Sequence, residues 1–156
     1  MCTVGHSAVS KNMYPPEGVC QYLFYVDVVI VDSKIVASLE QSSWNQFQMK
    51  AMVYKRVKSG IALDYRYTTS KLISDAEEDL NRLALNKIGS YGLLNIITKP
   101  SDLQRAVRAM KPVVAALKKI QGSDPVTRTV IAIGSYDYSG SGFMTQYKKI
   151  FEFVVK

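Results

Sequence analysis

A pair of oppositely charged side chains interrupts an apolar stretch in the segment GIALDYRYT, residues 60–68. Asp64 and Arg66 follow residues that are typical of a strand, and two tyrosines flank the arginine. The pair has four interpretations: a catalytic site, a clamp on a ligand, a structural ion pair, or solvated charges at the end of a strand. In a strand, Ala62, Asp64 and Arg66 share one face, because side chains alternate with a period of two.

The elements that would position this pair alternate along the chain. Runs rich in β-branched and aromatic residues predict five strands, at 2–5, 20–31, 61–67, 91–98 and 129–136. Most of these runs are apolar throughout, which is typical of parallel strands that are buried on both faces. Helical patterns separate them, so the sequence indicates the α/β class.

Four helices are predicted from the spacing of apolar residues and from capping signals. The first runs from Ser42 or Ser43 to about Val57, with Gly60 as the stop. The second begins at Ser74, which forms a capping box with Glu77, and ends at Gly89. The third runs from Ser101 to Gly122, and the fourth is a last apolar stripe from Phe143 to Val154. Pro112 lies inside the third pattern and is expected to kink or split that helix. Trp44, on the first helix, is expected to anchor it to the sheet rather than to stack on a sugar.

Two architectures fit this order of elements. One is a partial (β/α)8 barrel with about five parallel strands and helices outside; residues 1–156 are then a single incomplete domain from a longer chain, because a full barrel typically needs about 250 residues. The other is a small doubly wound parallel sheet. Both bind ligands at the carboxyl ends of the strands. This topology brings His6 and Asp32 to the same surface as the ligand-binding candidates Asp64, Arg66, Asn95, Tyr136 and Asp137.

Composition and motifs exclude several partners. The net charge is +7, but the cations are spread over the polar sides of several helical patterns, and no nucleic-acid-binding motif is present. No run of 18 apolar residues indicates a membrane span. The Gly-rich segment 134–142 matches neither phosphate-binding consensus. We therefore expect no nucleic-acid or membrane partner, no cofactor and no metal.

The two cysteines, Cys2 and Cys20, favour a disulfide over a pair of buried free thiols in a cytosolic protein. The bond would close a loop of about 19 residues and contribute about 3 kcal/mol in the chain-entropy model. It would also indicate an oxidising compartment and a secreted protein. No signal peptide is visible, so we expect that a leader was removed.

Several segments together resemble the chitinase-like proteins of the glycoside hydrolase 18 type, in particular a divergent secreted group known from ticks. The similar segments are MCTVGHS and YPPEGVCQYLFY within 1–25, IALDYRY at 61–67, VIAIGSYDYSGSGF at 130–143 and QYKKIFEFVV at 146–155. The resemblance spans the chain and implies the N-terminal part of a barrel, secretion and binding of an oligosaccharide or a host protein.

The resemblance also implies a catalytic motif, DxxDxDxE, whose last glutamate is the general acid. If SGIALDYRY is aligned with this motif, Asp64 matches one aspartate, and Arg66 occupies the position of the acid. An arginine stays protonated and cannot donate that proton. If IAIGSY is aligned instead, the acidic strand would begin after Lys156. Neither alignment gives a complete motif.

Three hypotheses about function follow. The first is a secreted chitinase-like barrel protein without hydrolase activity that binds carbohydrate or a partner. The second is a segment of an active glycoside hydrolase whose catalytic strand lies beyond residue 156. The third is a cytosolic α/β domain that binds an anion or nucleotide through the Gly-rich segment 134–142.

Overall fold

The computed structural model describes residues 1–135 and four later positions, 144, 145, 148 and 152. Within this part of the chain, five parallel strands form a curled half-barrel, and helices pack around it. Their order across the sheet is β1 (Cys2–Val4), β2 (Tyr22–Val31), β4 (Lys58–Leu63), β5 (Ile88–Thr98) and β6 (Thr129–Ser135). A further strand, β3 (Lys34–Ala37), pairs antiparallel with the end of β2.

Four helices lie between these strands: α1 (Gln41–Val53), α2 (Ser70–Asp75), α3 (Glu77–Leu85) and α4 (Pro100–Gln121). None of the helices in the described residues is both long and apolar enough to cross a membrane. The predicted last helix, from Phe143 to Val154, lies largely outside the described residues.

The order of the strands decides between the two predicted architectures. The five parallel strands follow one another across the sheet in chain order. A doubly wound sheet needs a point at which the strand order reverses, and the described strands contain no such reversal. The partial barrel is therefore confirmed, and the doubly wound alternative is wrong.

An aromatic cluster joins the sheet to α1. The ring of Trp44 lies 5.2 Å from that of Tyr25 on β2 and stacks on Phe47 at 5.6 Å. All three side chains are buried. The prediction that Trp44 anchors the helix rather than facing a ligand is confirmed.

The start of α1 differs from the prediction. Glu40 is the N-cap, and its carboxylate accepts a hydrogen bond of 3.1 Å from the backbone N–H of Ser42. Ser43 is fully buried, and its hydroxyl is hydrogen-bonded to that of Tyr25. The prediction of Ser42 or Ser43 as the N-cap is wrong, because Glu40 takes that position and the side chain of Ser43 is buried in the core.

Three positions that the sequence suggests as helix ends, Gly60, Ser74 and Gly89, have other roles in the structure. Gly60 does not stop α1, which ends at Val53, but lies inside β4, where a side chain would collide with the ring of Phe24. Gly89 likewise lies in β5, and the left-handed residue after α3 is Lys87, with φ of 65°. The predicted capping box at Ser74 is wrong, because α2 already begins at Ser70 with Thr69 as its cap.

Helix α4 is a single helix despite its internal proline. It begins at Pro100 rather than at a cap on Ser101, and it ends at Gln121 with Gly122, whose φ is 63°, as its C-cap. Pro112 lies on the exposed side of the helix, where its ring faces solvent rather than the packed core. The predicted C-terminus is confirmed, and the predicted split is wrong.

The predicted disulfide is present. Cys2 and Cys20 are bonded, with their Cα atoms 5.9 Å apart, and neither cysteine of the chain is free. The bond ties the short strand β1 to the residues that lead into β2. The alternative of two free thiols is wrong.

Candidate functional site

A cleft of about 560 Å³ opens at the carboxyl ends of the parallel strands. Its volume lies within the range of about 300–1,000 Å³ that is usual for small-molecule sites. We call it the mouth cleft and define it by six of its polar and aromatic lining residues: Asp27, Ser38, Asp64, Arg66, Tyr67 and Asn95. They come from β2, the segment after β3, the turn after β4, and β5.

Two β-bulges place side chains in this cleft. Between Tyr25 and Val28, β2 has one residue more than the neighbouring β4, and Asp27 lies in that bulge. Between Leu93 and Ile96, β5 has one residue more than β6, and Asn95 lies there. A bulge interrupts the alternation of side chains and changes the direction in which one of them points. Both bulges therefore bring a polar residue to the mouth cleft from an otherwise apolar strand.

Asp64 and Arg66 form a bidentate ion pair at the end of β4. The strand ends at Leu63, and a turn follows, in which the N–H of Tyr67 bonds to the carbonyl of Asp64. Arg66 donates from Nε to Oδ1 at 3.0 Å and from Nη2 to Oδ2 at 2.6 Å. The prediction of a shared strand face is wrong, because the turn rather than strand alternation brings the two side chains together.

This pairing keeps the Asp64 carboxyl ionised. Hydrogen bonds from the Arg66 side chain lower the pKa of Asp64, partial burial acts in the opposite direction, and the Arg66 N–H and the Asn95 amide lower the pKa further. In turn, Asp64 raises the pKa of Arg66. Neither member of the pair can therefore donate a proton to a ligand near neutral pH.

Asp27 is a second carboxylate in the cleft, and the predictions did not include it. Its Oδ2 accepts hydrogen bonds from the backbone N–H of His6 at 2.6 Å and from the ring Nδ1 at 2.8 Å. Because a carboxylate only accepts, Nδ1 must carry the proton. A side chain at Gly5 would collide with that same oxygen, so the site requires glycine there.

Tyr67 supplies an aromatic surface beside the ion pair. Its side chain is 70% exposed, although large apolar side chains are usually buried, and its ring lies 5.5 Å from the Arg66 guanidinium. Tyr67 lines the cleft, and its largely exposed side chain has apolar ring faces and a hydroxyl. The combination suits a ligand that has both apolar ring faces and hydroxyl groups.

Asn95 carries a buried acceptor atom. Its Oδ1 has no hydrogen-bond partner among the described residues, and buried polar atoms are rarely left unpaired. The residue as a whole is only partly buried and lines the mouth cleft.

Of the predicted candidates, the structure brings Asp64, Arg66 and Asn95 together in the mouth cleft. Tyr136 and Asp137 lie outside the described residues. Asp32 is not in the cleft; with Ser33 it forms the turn between β2 and β3, with φ of 48°. The sequence signal for Asp27 is a lone charged residue within an apolar run. It does not stand out because the whole run is predicted to be one uninterrupted strand.

Comparison of the chain with protein-family models, with curated proteins and with solved structures found no significant match in any of the three. Among the described residues, no group of three His, Cys, Asp or Glu side chains is placed to hold a metal ion. The interpretation of the site therefore rests on its own geometry: an ion pair that is already satisfied, an aromatic face, and acceptors that remain available.

Proposed function

We propose that this protein is a secreted, barrel-like carbohydrate-binding protein without hydrolase activity, and that the mouth cleft is its binding site. The observation that carries the proposal is the pairing of Asp64 with Arg66 beside the exposed ring of Tyr67. This arrangement offers directional hydrogen bonds and a stacking surface, which together suit the hydroxyl groups and apolar faces of a sugar ring.

The same pairing argues against hydrolysis by this cleft. Cleavage of a glycosidic bond usually requires one carboxylic acid that protonates the leaving oxygen. Such an acid has a raised pKa, typically through burial near apolar groups. The pKa of Asp64 is lowered instead, and Arg66 is the first cause. The other carboxylate of the cleft, Asp27, already accepts two hydrogen bonds from His6 through Oδ2.

Secretion is supported by the Cys2–Cys20 disulfide. Structural disulfides persist in oxidising compartments and are uncommon in the cytosol. The bond also holds β1, and through it Gly5 and His6, against the rim of the mouth cleft. The resemblance of the N-terminal segments to secreted chitinase-like proteins points in the same direction.

Calorimetric titration tests the binding. Tetramers of glucosamine and of N-acetylglucosamine are titrated into the purified protein, and the products are examined by chromatography. We expect at least one tetramer to bind and neither to be shortened. Tyr67→Ala should weaken binding by about two- to twelvefold, because it removes an aromatic contact of about 0.5–1.5 kcal/mol.

The matched control is Leu85→Ala, which removes another exposed apolar side chain, at the end of α3. It should leave the affinity unchanged. Absence of heat with both tetramers would refute carbohydrate binding. Shortened products, from a preparation in which contaminating enzyme has been excluded, would refute the lack of hydrolysis.

A further inference from the structure

The two carboxylates of the mouth cleft differ in how far their charge is compensated. Asp64 has hydrogen bonds from Arg66 on both of its oxygens. Asp27 uses Oδ2 alone for His6, and Oδ1 has no partner among the described residues. The Asp27 side chain is 26% exposed, so solvent and ligands can reach it. With Arg66 matched to Asp64, the cleft is left with one carboxylate that no permanently charged side chain pairs with.

From this charge balance we infer that the mouth cleft selects a cationic amino sugar over its acetylated, neutral counterpart, with Asp27 as the residue that determines the choice. The inference rests on the proposed carbohydrate binding. An ammonium group on the sugar donates to Asp27 Oδ1 in a charge-assisted hydrogen bond, which is about twice as strong as a neutral one. An N-acetyl group at the same place offers only a neutral amide and adds bulk.

The fold gives Asp27 the properties that a selecting residue needs. The bulge in β2 directs its side chain to the cleft, and Ser38 N–H bonds to the Asp27 carbonyl at 2.9 Å. His6 then holds the carboxylate in one orientation over Gly5. A carboxylate fixed in this way meets a ligand without first losing side-chain freedom, so more of its interaction energy contributes to affinity.

The net charge of the whole molecule does not explain a preference for a cationic sugar. The chain carries a net charge of +7, so its overall field repels a cationic oligosaccharide. A preference for the amino form must therefore come from a local feature. Among the described residues that line the cleft, only Asp27 and Asp64 provide negative side chains, and Asp64 is already paired.

The test compares the glucosamine tetramer with the N-acetylglucosamine tetramer by calorimetry at weakly acidic pH, where the amines are protonated. We expect the wild-type protein to bind the amino tetramer at least about tenfold more tightly, because a hydrogen bond to a charged group contributes about 1.5–3 kcal/mol. Asp27→Asn should abolish the preference and leave the affinity for the acetylated tetramer within about threefold.

The control is Asp75→Asn, which changes the net charge equally but lies on α2, exposed and outside the cleft. It should retain the full preference. Equal or tighter binding of the acetylated tetramer by the wild-type protein would overturn the inference and leave the proposed carbohydrate binding intact. Failure of both tetramers to bind would overturn the proposed function itself. The wild-type comparison decides the matter even if Asp27→Asn does not fold.

Discussion

At the scale of the residue, Arg66 decides what Asp64 can do. A carboxylate that accepts hydrogen bonds from a guanidinium is stabilised in its charged form. Asp64 is therefore a fixed anion that shapes the mouth cleft, and Arg66 is in turn held beneath the ring of Tyr67. Asp64 and Arg66 act as one unit, so a change in Arg66 should be visible in the titration of Asp64.

Replacement of Arg66 by Gln should raise the pKa of Asp64 toward its ordinary value, because the first cause of its lowering is removed. A pKa lowered in the folded state stabilises the protein above the unfolded pKa, and this stabilisation is lost as the pH falls through the folded pKa. In the Gln variant, the contribution of Asp64 to the free energy of unfolding should therefore change less as the pH falls.

NMR titration of the Asp64 carboxyl carbon measures the pKa directly, and thermal unfolding across acid pH measures its consequence. Arg105→Gln, which removes an exposed arginine from α4, is the control and should leave the Asp64 titration as it is. An unchanged Asp64 pKa in Arg66→Gln would contradict the proposed ion pair.

Buried tyrosines predict a loss of stability in alkali. Burial raises the pKa of Tyr91 and that of Tyr14 from 10.0 to about 12. The stabilisation is complete below pH 10 and declines as the pH rises toward the folded pKa, by about 1.4 kcal/mol per pH unit for each tyrosine. Tyr91→Phe should make the slope of unfolding free energy against pH shallower by that amount in urea titrations. An identical slope in the variant would show that Tyr91 already ionises in the folded protein.

At the scale of the element, the parallel strands were predictable, and their ends and local exceptions were not. Strand composition located β1, β2, β4, β5 and β6, because apolar β-branched runs have few alternatives in a protein of this class. The hairpin of β3 was missed, since its turn uses Asp32 and Ser33 at positive φ, which non-glycine residues seldom adopt. The bulges at Asp27 and Asn95 were missed because register between strands is a tertiary property.

Reduction of the disulfide should loosen β1 before the rest of the sheet. β1 has three residues and, among the described residues, pairs only with β2. Its loss would free His6 from Asp27. We expect the double change Cys2→Ser and Cys20→Ser to lower the free energy of unfolding by about 3 kcal/mol, as for a loop of about 19 residues. Chemical denaturation measures this, and equal stability of oxidised and reduced protein would contradict it.

Pro112 should be a source of instability in α4. The residue lies within a 22-residue helix, on its exposed side. Pro112→Ala restores a helical hydrogen bond and a favourable helix former, so it should raise the free energy of unfolding by about 1–3 kcal/mol. Ala115→Gly, at another exposed position of the same helix, should change it by about 1 kcal/mol in the opposite direction. Destabilisation by Pro112→Ala would mean that the helix needs the proline.

At the scale of the whole molecule, the half-barrel places the mouth cleft at the carboxyl ends of its strands. Five parallel strands curl without closing within the described residues, and their carboxyl ends meet at one rim. Because the chain carries a net charge of +7, the proposed binding of a cationic sugar depends on the local negative charge at Asp27 and not on overall attraction.

Amide chemical-shift mapping with a bound oligosaccharide tests carbohydrate binding without cleavage most directly. The isotope-labelled protein is titrated with each tetramer, and the ligand signals are followed in the same samples. The proposal predicts shifts concentrated at residues 64–67, at Asn95 and at the bulge around Asp27, with the oligosaccharide intact throughout. Shifts confined to other surfaces, such as α4, or the growth of new reducing-end signals would contradict it.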